Sequence, residues 1–145
     1  MTEGRELDRI PNLIDCTALE MVVGVFSVRR REDLDQSTYA TLNDRMWDIV
    51  SSRRDFGLIG ITGYRSDDGR SLAMAFFKTR EGMLGWKSEV EHAAAQQRGR
   101  EEFFLDYWGF AAEMVDAYEF DRAGGRRDIP LDTSWRPAGF EGPGE

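Results

Sequence analysis

Residues 71–78 read SLAMAFFK, and both alternating sets are apolar: Leu72, Met74 and Phe76 on one side, Ala73, Ala75 and Phe77 on the other. A strand sends successive side chains to opposite faces of its sheet, so this segment needs cover on both. Residues 20–28, EMVVGVFSV, make the same demand. A sheet with one wet face would alternate apolar with polar residues, and that alternation is missing here.

The intervening segments limit how the cover can be supplied. Tyr39, Leu42, Met46, Ile49 and Val50 recur at three- and four-residue spacing, which predicts a helix from Ser37 with Asp35 or Ser37 as its N-cap. Residues 56–65, FGLIGITGYR, read as a second strand, joined to SLAMAFFK through a hairpin turn at Asp67-Asp68-Gly69. Thr79 is placed to cap a second helix that buries Met83, Trp86, Val90 and Ala93 or Ala94 and stops at Gly99. A long fourth strand then runs from Phe103 to Phe120.

The order strand, helix, strand, strand, helix, strand is the α+β, ferredoxin-like split βαβ plan. Its two helices cover one face of the sheet. The other face, equally apolar, predicts a second copy packed sheet to sheet about a twofold axis, a homodimer in the form of a dimeric α/β barrel. Tyr107 and Trp108 point to opposite faces of the last strand, one towards the helices and one towards the partner. Residues 1–19 read as an N-terminal arm, 20–121 as the domain, and 122–145, with three of the four prolines, as an extended C-terminal tail. Trp135 and Phe140 suggest that this tail docks.

Composition narrows the partners. Net charge is −8 and the basic residues are scattered, with Arg29-Arg30-Arg31 followed at once by Glu32, Asp33 and Asp35. This predicts no nucleic-acid partner. No apolar run approaches the ~20 residues needed to cross a bilayer, and the N-terminus lacks the pattern of a signal peptide. The single Cys16 fits a reducing, cytoplasmic setting. One His and one Cys make a poor ligand set for zinc, copper or iron. Gly57, Gly60 and Gly63 lie in a strand pattern and do not open a helix, so they form no phosphate loop. A metal-free protein is the expectation.

Residues 39 onward, 55–70 (DFGLIGITGYRSDDGR) and 76–107 (FFKTREGMLGWKSEVEHAAAQQRGREEFFLDY) resemble the antibiotic biosynthesis monooxygenase family, over roughly residues 21–120. The resemblance is carried by Trp86, His92 six residues on, Gln96, the Gly99-Arg100 pair, and Phe103, Phe104 and Tyr107 at the start of the last strand. It implies a dimeric α/β barrel. It also implies oxygenation of aromatic polyketide-like molecules with neither metal nor flavin, in bacterial secondary metabolism. Haem-degrading relatives carry a histidine ten residues after the tryptophan, where this chain has Gln96. Phe76-Phe77 and Phe103-Phe104 stand where relatives often carry Tyr-Trp and Trp-Tyr, which implies a more apolar cavity for a flat or greasy ligand.

His92 is the candidate catalytic base, since an ordinary imidazole suits removal of a proton from a phenol or an acidic C–H. On an unbroken helix it lies about 120° from Trp86 and shares a polar face with Ser88, Glu89 and Gln96. A bend at Ser88–Glu91 would let His92 and Trp86 line one cavity; the alternative is a hydrogen-bonded structural role, such as clamping the helix to the last strand. The expected substrate contacts are Trp86, Phe77, Phe104, Tyr107 and Gln96. Two other functions fit the same residues: a non-oxidative cyclase or isomerase using His92 for proton transfer, and a non-enzymatic binder of small molecules.

Overall fold

The computed structural model describes residues 21–130 and Gly142. β1 (Val22–Arg30) leads to α1 (Gln36–Ser52), a short 3₁₀ turn at Arg54–Phe56, and then β2 (Leu58–Arg65) and β3 (Ser71–Phe77). α2 (Arg80–Lys87) and α3 (Val90–Arg98) follow, and a π turn at Gly99–Phe103 feeds β4 (Phe104–Glu113). A separate hairpin is made by β5 (Tyr118–Asp121) and β6 (Gly125–Asp128). The main sheet has the order β2-β3-β1-β4 with every neighbouring pair antiparallel, which is the ferredoxin-like arrangement.

Local signals set the element ends. The Asp35 carboxylate accepts from the backbone of Ser37 and Thr38 at the start of α1. The Thr79 hydroxyl accepts from Gly82 at the start of α2. Gly69, with φ +87°, closes the β2–β3 hairpin. β1 runs two residues further than the apolar run that predicts it. Arg29 and Arg30 stay in the ladder against Asp106 and Phe104, where Arg29 is met by the carboxylates of Asp68 and Asp106.

The register divides the sheet into two faces. Val22, Gly24 and Phe26 of β1 pair with Phe77, Ala75 and Ala73 of β3, and this side meets the helices. There Val50 of α1, Leu58 and Phe77 form a buried cluster, with Trp47, Ala75, Met83 and Trp86 packed on it. The opposite side carries Val23, Val25, Leu72, Met74, Trp108 and Phe110. One end of it is buried, where Met21, Ile59 and Phe76 pack with Met114. Trp108 and Phe110, stacked in parallel with centroids 6.2 Å apart, are 48% and 56% exposed. Tyr107 therefore belongs to the helix side and Trp108 to the open side.

Four expectations need correction. The fourth strand does not run on to Phe120. Met114 donates to the Met21 carbonyl, β1 ends there, and the chain beyond has no strand to pair with in the main sheet. It pairs with itself instead: residues expected in an extended tail form β6, turned back at Gly125 with φ +76°. Val90, Ala93 and Ala94 are not on the buried side of one continuous helix; Val90 sits in the first turn of α3, 79% exposed, and both alanines are exposed too. Gly99 does not stop the helix, for it is right-handed helical and the chain continues into the π turn. A glycine is needed there because a Cβ would stand 2.5 Å from the Phe104 ring. The N-terminal arm, Trp135 and Phe140 lie outside the described residues.

Candidate active site at the break between α2 and α3

The helical path breaks at Ser88 and Glu89. The Ser88 hydroxyl donates to the carbonyl of Leu84, and Glu89 is extended (φ −61°, ψ 139°) while its carboxylate accepts from the His92 backbone at 2.8 Å. A new helix therefore starts within four residues of the old one, which is the bend the polar run 88–91 allows. It undoes the angular separation of the unbroken helix. The His92 imidazole lies on the Trp86 indole with centroids 3.8 Å apart and planes 8° apart.

His92 Nδ1 is 2.8 Å from the Trp86 carbonyl oxygen. A carbonyl only accepts, so the network assigns the proton to Nδ1. In the neutral ring Nε2 then carries the lone pair, and among the described residues it has no hydrogen-bond partner. Burial lowers the imidazole pKa below its ordinary value of 6.5, against the opposing pull of the Trp86 carbonyl and the Glu89 charge. Near neutral pH the group is thus an uncharged base with one free nitrogen.

Trp86 is tied to the core beneath it. Its indole contacts Phe56 at 5.8 Å between centroids and packs on the Val50–Leu58–Phe77 cluster. Phe77, expected as a substrate contact, is 1% exposed and acts here as the floor on which Trp86 rests. Gln96 is half-buried one turn along α3 from His92.

Phe104 and Tyr107 form a second group. Their centroids are 6.2 Å apart, and both rings touch Phe26 at 6.2 and 5.2 Å. Tyr39 of α1 meets Phe103 and Phe104 edge-on. Arg100 donates to the Tyr107 hydroxyl at 3.0 Å. The structure thus pairs His92 with Trp86 and Phe104 with Tyr107.

One residue of this helix-side surface escapes a reading by charge. Arg30, inside a triplet that looks like a solvated connection, is half-buried with its guanidinium 5.1 Å from the centre of the Tyr39 ring. The available signal is parity: position 30 continues the set 22, 24, 26, 28 that faces the helices. A surface groove of about 370 Å³ between Arg31, Leu34, Thr38, Arg98 and Phe103 lies at the other end of α3 from His92. Both of its arginines are already paired, Arg31 with Asp33 and Arg98 with Glu102. No described helix is long and apolar enough to cross a membrane. Among the described residues no three His, Cys, Asp or Glu side chains are grouped to hold a metal.

Comparison with known proteins supports this scaffold. No family model matches the chain. An uncharacterized protein of Bacillus subtilis (strain 168), YqjZ, is 24% identical over 83 residues, 57% of this chain and 69% of that one. Rv0793 from Mycobacterium tuberculosis superposes with a TM-score of 0.55 at 16% identity, covering 67% of this chain and 97% of its own. A Nitrosomonas europaea protein provisionally assigned as an antibiotic biosynthesis monooxygenase gives 0.53 at 13%, covering 66% and 90%. A dimeric ferredoxin-like protein of unknown function from Thermobifida fusca gives 0.51 at 8%, covering 66% and 92%. The shared feature at these identities is the fold.

Proposed function

We propose that the chain is the subunit of a homodimeric enzyme that oxygenates an aromatic or enolisable small molecule without a cofactor, with His92 as the base. The observation that carries this reading is the His92–Trp86 pair: a neutral imidazole, its Nδ1 tied to a backbone carbonyl, its Nε2 unpartnered among the described residues, stacked on an indole. The fold it shares with the Nitrosomonas europaea protein is compatible with the reading. Homodimerisation is favoured by the exposed Trp108–Phe110 stack on an otherwise apolar face, and the Thermobifida fusca neighbour is described as dimeric.

In this scheme Nε2 takes a proton from an activated CH₂ group and leaves a delocalised carbanion. The carbanion carbon bonds to dioxygen and supplies the electrons that reduce it to a peroxide. His92 returns its proton to that peroxide. The O–O bond then breaks as the second hydrogen on carbon is lost, giving a carbonyl and one water. Trp86 positions the imidazole, while Phe104 and Tyr107 supply aromatic surface for the ring system.

Turnover of anthrone under isotopically labelled dioxygen by chelator-treated, flavin-free protein tests the reading. One labelled oxygen in the product carbonyl and one in water support it. Proton exchange or ring closure with no oxygen consumed would move the same base to an isomerase or cyclase.

A further inference from the structure

Arg30 stands where the β1–β4 register slips: Arg29 faces Asp106 and Arg30 faces Phe104. Such a bulge re-aims the side chain beside it. Here the guanidinium is turned beneath Tyr39 and across to β3, where Nη2 donates to the Ser71 hydroxyl at 2.9 Å. Nε is buried and has no acceptor, the only buried side-chain nitrogen or oxygen among the described residues in that state. A buried donor has given up its hydrogen bond to water, and one left unpaired points to a missing partner.

Other arginines of this chain show which partner fits that edge. Arg31 with Asp33, Arg45 with Glu91, Arg53 with Asp55 and Arg98 with Glu102 each place Nε and Nη2 on the two oxygens of one carboxylate, at 2.7–3.1 Å. Arg30 presents the same fork, half filled by a hydroxyl. Around it Phe26, Tyr39 and Phe104 remain half-buried and Tyr107 is 38% exposed, so aromatic surface stays partly open next to the cation.

We propose that the Nε–Nη2 edge of Arg30, together with the Ser71 hydroxyl, seats a carboxylate carried by a planar aromatic ligand. The Tyr39 ring that lies over the guanidinium swings aside to uncover Nε; one carboxylate oxygen then accepts from Nε and the other from Nη2, and Ser71 rotates to donate to the second oxygen. The ligand's rings lie against Phe104 and Tyr107. The inference rests on reading the helix side of the sheet as the substrate site and narrows its substrate to an aromatic acid. His92 and Gly99, which packs on Phe104, are separated by about 10 Å of helical rise, so a ligand anchored at Arg30 and reacting at His92 is an extended, fused-ring molecule.

Equilibrium binding of 2-naphthoate and of neutral 2-naphthamide, followed anaerobically by tryptophan fluorescence and calorimetry on the full chain, tests this. The wild type is expected to prefer the acid by about tenfold or more, as for a charge-assisted bidentate contact. Arg30→Gln should abolish the preference, and Ser71→Ala should reduce it. Arg30→Lys, which keeps the cation and guards against a folding defect, should retain part of it without the fork. Equal affinity for acid and amide, binding of neither, or a preference that survives in folded Arg30→Gln would overturn the proposal. His92→Gln should leave the preference intact, so an inactive base and an absent anion seat are told apart.

Discussion

The imidazole of His92 lies parallel to the indole of Trp86 at 3.8 Å and is hydrogen-bonded to the carbonyl oxygen of that same tryptophan. The two contacts fix both the plane of the ring and the nitrogen that carries its proton. They exist because α2 stops at Lys87 and α3 restarts at Val90.

The pH dependence follows from the burial of that ring. Its pKa is lowered from 6.5, so the base form is present at neutral pH and is lost only on acidification below 6.5. The acid limb of kcat/KM should therefore lie below 6.5. Stability follows the same direction. The unfolded histidine takes up its proton as pH falls past 6.5 while the folded one resists, so this group's contribution is full above 6.5 and declines as pH falls through the folded value. NMR titration of the one histidine reads the pKa directly, and a value above 6.5 would refute this account.

Trp86 joins the stack to the core through Phe56 and the Val50–Leu58–Phe77 cluster. Trp86→Ala should cost about 2–3 kcal/mol, below the usual cost for a fully buried indole because this one is half-buried. Denaturant unfolding measures the loss. The same variant should raise the His92 pKa towards its ordinary value as the ring becomes solvated.

Gly82 lies in the first turn of α2, where alanine is the better helix former by about 1 kcal/mol. A Cβ there would stand 2.2 Å from the Phe56 carbonyl oxygen, a backbone atom with little room to move. Gly82→Ala should therefore destabilise the protein, by about 1–3 kcal/mol. A rise in Tm would contradict the close approach of α2 to the 3₁₀ turn.

The open face of the sheet carries the prediction of assembly. Trp108→Glu and Phe110→Glu place charge on that face and touch none of the helix-side core. Each should convert a dimer into a folded monomer by sedimentation, with its circular dichroism unchanged. A wild type that sediments as a monomer would remove the homodimer from the proposal.

Much of the fold was legible from periodicity. SLAMAFFK and MVVGVFSV have two apolar faces because they are the two central strands, and the caps at Asp35 and Thr79 lie where their side-chain oxygens suggest. The end of β4 was not legible, because residues 104–120 keep strand-like composition past the point where β1 stops offering a partner. Pairing is a property of two strands, and one sequence segment does not reveal the length of the other. His92 and Trp86 were nameable, and so was the bend that brings them together, since the polar run 88–91 marked it. The stack itself depends on the extended backbone of Glu89, which no residue type signals. Arg30 stayed hidden in a charged triplet because its surroundings are set by β3 and α1, distant in sequence.

The most direct test of the central claim is the rate of dioxygen consumption with anthrone by wild type and by His92→Gln. Glutamine can still offer an N–H to the Trp86 carbonyl, while the basic Nε2 and the ring stacked on the indole are both removed. With equal folding and equal mass in solution, the account predicts uptake slowed by about 10²–10⁴ in the variant, the usual range for a lost general base. Uptake at the wild-type rate would contradict it and leave His92 a structural clamp between two helices.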